Sequence, residues 1–122
     1  MNPCVIFFTT LLITSYAFPE KPDPDPERFS DDFKKFARNE QSSKIQTEEI
    51  TLFTGSSSIR MWESLESDFS EINLINRGFG GAHLSDVLYY YNRLFTKYRP
   101  QRIVLYCGEN DLWSGKSVGR VM

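Results

Sequence analysis

The order of apolar stretches predicts an α/β domain built on a parallel sheet. Three short runs rich in β-branched, leucine and aromatic residues, at 49–54, 72–76 and 102–107, are separated by segments with helical spacing. Such β-α-β-α-β alternation lays successive strands side by side in one direction through right-handed crossovers. Each run also ends in a glycine-bearing loop, and in parallel sheets ligands sit beyond the carboxyl ends of the strands.

The elements follow in chain order. Residues 5–18 are an apolar run with a few threonines, and Ser15-Tyr16-Ala17 sets small residues at the two positions a signal peptidase reads. The expectation is a signal peptide over 1–17 and a secreted protein, extracellular or periplasmic. The run is shorter than the roughly 20 apolar residues of a membrane-crossing helix, so no stable span is expected after cleavage. A buried first strand or an uncleaved anchor is the alternative, because no Lys or Arg precedes the run.

Residues 18–27 read as an extended linker, since Pro19, Pro22, Pro24 and Pro26 alternate with charges. The domain proper is expected over 28–122. Its first helix spans 28–39, with Phe29, Phe33, Phe36 and Ala37 at helical spacing and Ser30-Asp31-Asp32 at its start. A polar loop follows at 41–47. After the first strand, Met61, Trp62, Leu65 and Phe69 share one face of a further helical segment.

The second strand, 72–76, ends in Arg77-Gly78-Phe79-Gly80-Gly81, a backbone unsuited to regular structure. The clearest helix comes next: Leu84, Val87, Leu88, Tyr91, Leu94, Phe95 and Tyr98 form one apolar stripe, stopped by Pro100. The third strand is nearly all apolar, as strands covered on both faces are. With only three strands, however, it would also leave an open edge.

Composition narrows the function. At 122 residues with 40% hydrophobic and 25% charged residues, this is one ordinary globular domain at most. A net charge of −2, with 14 basic residues scattered among 16 acidic ones, gives no case for nucleic acid. Of two cysteines, Cys4 would leave with the signal peptide, so no disulfide is expected and Cys107 reads as a small buried hydrophobe.

Acyl transfer by a serine needs a nucleophile, a base and donors for the oxyanion. Ser57 follows the glycine corner Gly55-Ser56, where a strand breaks into a helix start. Gly81 can offer a backbone N–H from the second loop, and Asn110 a side-chain amide from the third. Each also has a structural explanation, as a helix cap, a turn and an Asn-Asp turn pair.

Taken together, Gly55-Ser56-Ser57-Ser58, Asn76-Arg77-Gly78-Phe79-Gly80-Gly81 and Gly108-Glu109-Asn110-Asp111 resemble, in order and spacing, the first three blocks of the SGNH (GDSL-type) hydrolases. The string from Leu52 to Trp62 is especially similar to secreted bacterial-type members. The resemblance implies a flavodoxin-like three-layer α/β/α fold that cleaves carboxylic (acyl or acetyl) esters or thioesters, with no metal or other cofactor. Ser57 would be the nucleophile; the backbone N–H groups of Ser57 and Gly81 and the side chain of Asn110 would form the oxyanion hole. Ser56 replaces the family's usual aspartate. The substrate would be a small-molecule, glycan or lipid ester. Trp62, Phe79 and Trp113 would either line an acyl or sugar subsite or pack as core or lid.

The family's last block, Asp-x-x-His, does not occur in these residues, and the single histidine is His83. The expectation is therefore a partial, C-terminally truncated domain, with His83 as a helix-start residue, a substrate-rim residue or a surrogate base. Two alternatives stay open: a catalytically inactive remnant that binds a ligand in the same pocket, and a phosphate or nucleotide binder using the 55–58 loop. The latter lacks both a Gly-x-Gly-x-x-Gly pattern and a phosphate-binding lysine.

Overall fold

The computed structural model describes residues 19–42 and 48–122. The expected signal peptide with Cys4, and all but the first two residues of the expected 41–47 loop, lie outside the described residues. Strands β1 (Thr51–Gly55), β2 (Leu74–Gly78) and β3 (Arg102–Tyr106) form a parallel sheet in the order β2-β1-β3. A 3₁₀ turn (Pro26–Phe29) leads into helix α1 (Ser30–Ser42). Short helices α2 (Ser57–Arg60), α3 (Leu65–Asp68), α4 (Leu84–Tyr89), α5 (Glu109–Trp113) and α6 (Val118–Val121) complete the fold. The α/β class with a parallel sheet is as the sequence predicts.

Both faces of β1 are covered, which explains why all five of its residues are buried. On one face Leu52 packs with Phe29, Phe33, Phe79, Val87, Tyr90 and Leu94. On the other, Phe53 packs with Ile59 and Leu65, bordered by Trp62, Ile72 and Leu74. Alternating side chains of one central strand thus anchor two helical layers.

Several elements depart from the sequence expectation. The stretch after β1 is two single turns, α2 and α3, rather than one helical face, and it leaves Met61 59% exposed. Strand β2 runs through Arg77 to Gly78, because Gly78 pairs with Gly55 in the ladder. The long helix is α4 followed by a π-helical turn (Asn92–Thr96). Its inner residues are Val87, Tyr90 and Leu94, whereas Leu88 is 71% and Tyr91 52% exposed. Tyr90 wins the inner position because its ring stacks on Phe33 at 3.8 Å and its hydroxyl donates to the Pro26 carbonyl at 3.0 Å.

Strand β3 is not covered on both faces. Ile103, Val104, Leu105 and Tyr106 are between 39% and 52% exposed, since no described helix packs closely over β3.

Polar contacts tie the periphery to the sheet. The Arg77 guanidinium, 9% exposed, donates to the Tyr98 hydroxyl at 2.7 Å and to Glu40 at 3.1 Å, and lies 4.9 Å from the Phe36 ring centre. Burial would raise the Glu40 pKa, but hydrogen bonds from Lys97, Tyr98 and Arg77 outweigh it and hold the carboxyl below its usual range. Burial, reinforced by Glu40, pushes the Tyr98 phenol up to about 12. At the other end of the fold the proline-rich segment is strapped down. Buried Lys116 donates to the Lys21 carbonyl at 2.9 Å and to Asp23, which also accepts from Arg120 at 2.8 Å. Among the described residues, no helix is long and apolar enough to cross a membrane.

The rotated helix is directly testable. Tyr90→Ala should cost about 3–5 kcal/mol of unfolding free energy, the range for emptying a buried aromatic site. Leu88→Ala should stay within about 0.5 kcal/mol, the range for exposed positions. Urea unfolding followed by circular dichroism measures both; equal losses would contradict the observed orientation.

Candidate active site

The three strands end level. Gly55 pairs with Gly78 on one side and Tyr106 on the other, so Ser57, Gly81 and Asn110 lie two, three and four residues beyond a common edge. That alignment brings the three loops together, and specific contacts then lock them.

Loop one begins at Gly55, whose backbone sits at φ +126°. A Cβ there would lie 1.9 Å from the Tyr106 carbonyl oxygen, so only glycine permits this approach of β1 to β3. Immediately afterwards the Ser56 N–H donates to that carbonyl at 2.9 Å, and the Phe79 N–H donates to the Gly55 carbonyl at 2.9 Å. Ser56 is fully buried and its hydroxyl donates to Glu109. Ser57 is half-buried at the first position of α2. As α2 is a single turn, it offers little macrodipole; what it does offer is a first-turn N–H with no intrahelical acceptor.

Loop two is shaped by Asn76. Its amide donates to the Ile59 carbonyl at 2.9 Å, while its carbonyl oxygen accepts from the Gly78 N–H at 2.9 Å, fixing α2 against the end of β2. Gly78 has to be glycine, because a Cβ would come within 2.4 Å of the Arg60 nitrogen. Gly81, by contrast, is exposed at φ +82°, and a Cβ there would meet open space. Only its backbone conformation calls for glycine.

Loop three supplies the stitching. The Asn110 amide donates to the Ala82 carbonyl at 3.0 Å, next to Gly81. Buried Asp111 accepts from the Leu84 N–H at 3.0 Å, and its other oxygen lies 3.5 Å from His83 Nδ1. His83 Nδ1 has no hydrogen-bond partner, so this contact is proximity without hydrogen-bond alignment. The His83 N–H is held by Asp86 at 2.8 Å, and Asp86 in turn is paired with Arg28. His83 is therefore a buried helix-start residue rather than part of a substrate rim.

The remaining candidates separate clearly. Phe79 is fully buried in the core and offers no subsite; Trp62 is half-buried against Phe53 and Phe69; Trp113 is 93% exposed. Cys107 is partly buried, and its thiol donates to the Ala82 carbonyl at 3.4 Å. Burial, with the nearby Asp111 and Glu109 charges, pushes its pKa up to about 12. Asn76, Glu109 and Asp111 stand in the family-like blocks, but the sequence assigned them no role in holding the loops. Their roles depend on partners more than 15 residues away, as in Asn76 with Ile59, so no local pattern marks them. Among the described residues, no cluster of three His, Cys, Asp or Glu side chains is placed to hold a metal ion. A depression of about 510 Å³, bordered by Lys34, Tyr89 and Arg93, and another of about 250 Å³, bordered by Phe36, Glu40 and Lys97, lie against α1 and include none of the three loops.

No family model and no curated protein matches the sequence. Among solved structures the chain is similar to a GDSL-like lipase from Bacteroides thetaiotaomicron, with a TM-score of 0.56 and 21% identity over 70% of this chain and 43% of that one. The chain thus spans less than half the length of that lipase. At this identity the likeness establishes the fold, an SGNH-like α/β arrangement.

The thiol makes a local test. Native Cys107 should resist iodoacetamide at pH 8 and react freely once urea unfolds the chain, as read by peptide mass mapping. Rapid alkylation of the folded protein would show that the thiol is neither buried nor held as described.

Proposed function

We propose that the chain carries the nucleophile and oxyanion half of an SGNH-type serine esterase acting on acyl or acetyl esters. The observation that supports this most is the level ending of the three strands, with each block of the family pattern in one of the three loops. In this reading Ser57 Oγ attacks the ester carbonyl and loses its proton to a base. Negative charge then develops on the carbonyl oxygen, where the Ser57 and Gly81 N–H groups and the Asn110 amide donate to it. Asn110 has two amide hydrogens; one is engaged by Ala82, which orients the other. Asp111, holding the Leu84 N–H, and Glu109, holding Ser56, are positioning residues.

The base is the part these residues do not supply. His83 is buried and beside Asp111, and the family takes its base from an Asp-x-x-His block absent from this sequence. A secreted location follows if residues 1–17 act as a signal peptide. That same commitment of His83 favours a second reading, a non-catalytic domain that binds an ester-bearing small molecule, glycan or lipid in the same loops.

A fluorophosphonate probe and p-nitrophenyl acetate distinguish the two. Measured in a protein that also carries the base, the esterase reading has the probe label Ser57 and Ser57→Ala abolish labelling and turnover with an unchanged circular dichroism spectrum. Asn110→Ala should lower the rate by ~10²–10³. Turnover that survives Ser57→Ala would sink the assignment. Absence of labelling in a folded protein would favour the binding domain.

A further inference from the structure

We infer that the strap from Glu20 to Asp23 is a clasp that keeps the third loop in its site-forming arrangement, acting through the buried ammonium of Lys116. The strap is exposed and belongs to no helix or strand. Downstream it is anchored at Pro26, whose carbonyl accepts from the Tyr90 hydroxyl at 3.0 Å. The rest of its hold is on the segment after α5, far along the chain. Lys116 Nζ donates to the Lys21 carbonyl at 2.9 Å and to Asp23, and Arg120 donates to Asp23 at 2.8 Å. The Ser117 N–H donates to Glu20 at 2.9 Å.

Lys116 makes this attachment more than a surface tether. Its side chain is 1% exposed, and an ammonium withdrawn from water is costly unless its hydrogens and charge are matched. Among the described residues, both acceptors it finds belong to the strap. The Lys116 hydrogen bond, aided against burial by the Arg120 charge, holds the Asp23 carboxyl below its usual range, so it is a carboxylate at neutral pH. With the strap detached, the ammonium would lose that counter-charge, and the segment carrying it would have to turn out to water.

That segment does not turn out alone. The Lys116 N–H donates to the Asp111 carbonyl at 3.0 Å, and the Ser114 hydroxyl donates to the same carbonyl at 2.7 Å. Asp111 is itself buried, and its carboxylate holds the Leu84 N–H at 3.0 Å. Its neighbour Asn110 holds the Ala82 carbonyl at 3.0 Å, next to Gly81. Releasing Lys116 therefore loosens the turn over 111–116, and with it the bracing of the second loop by the third. Lys116 is a positioning residue that acts through Asp111. Its consequence for ester cleavage rests on the reading of Asn110 as an oxyanion donor; the coupling itself does not.

Hydrogen exchange of the full chain, read by mass spectrometry, tests the coupling. Asp23→Ala should speed exchange ~10-fold or more in peptides covering 109–116 and 81–86, while peptides covering 51–55 keep the parent rate. Adding Lys116→Met should restore the parent rates, because methionine fills much of the same space and leaves no charge to expel. Exchange that changes only over 19–25, exchange that rises equally over 51–55, or a double variant that stays fast would each overturn the clasp. Should Asp23→Ala lose its fold by circular dichroism, Asp23→Asn, which keeps the shape and removes the charge, carries the same expectation. In a protein that also carries the base, Asp23→Ala should lower kcat for p-nitrophenyl acetate more than it raises KM, and Lys116→Met should again restore it. Fast exchange with unchanged turnover would overturn the link to the site. Turnover that survives Ser57→Ala would instead overturn the esterase reading and leave the clasp standing.

Discussion

The arrangement rests on the approach of Gly55 to the backbone of β3. With no Cβ and a left-handed φ, Gly55 lets the Tyr106 carbonyl close to hydrogen-bond distance of the Ser56 N–H. Any side chain at that point would push β1 and β3 apart where both strands end. The common edge of the sheet, and with it the grouping of Ser57, Gly81 and Asn110, follows from this one contact.

Alignment alone would leave three flexible loops, and the polar contacts between them supply the rigidity. Glu109 reaches back to Ser56, Asp111 to Leu84, and Asn110 to Ala82, so the third loop braces the other two. These groups are buried or half-buried, where an unpaired polar atom would be costly, and each finds a partner across the sheet edge. The same bracing commits His83 to a position beside Asp111.

The core is lopsided for a simple topological reason. β1 lies between two strands and two helical layers, and its residues are buried throughout. No described helix packs closely over β3, so the same kind of apolar sequence is left open to solvent. The strap from Glu20 to Asp23, held by Lys116, Ser117 and Arg120, secures the chain beyond the third loop without covering that strand.

The sequence by itself determined the fold class, the existence and order of the three strands, and the three loops at their ends. Those features follow from local chemistry: β-branched runs, glycine-marked breaks and helical periodicity. The family resemblance of the same loops is matched, at the level of fold, by the similarity to a GDSL-like lipase. Tertiary structure alone decided which face of the α4 segment turns inward, since the stripe through Leu88 and Tyr91 is as apolar as the one through Tyr90. Stacking on Phe33, far away in sequence, tips the choice. It likewise decided that Phe79 is core, that His83 is buried beside Asp111, and that Asn76, Glu109 and Asp111 hold the loops. Each of these outcomes depends on a partner brought near by the sheet, and no local pattern in the chain records such a partner.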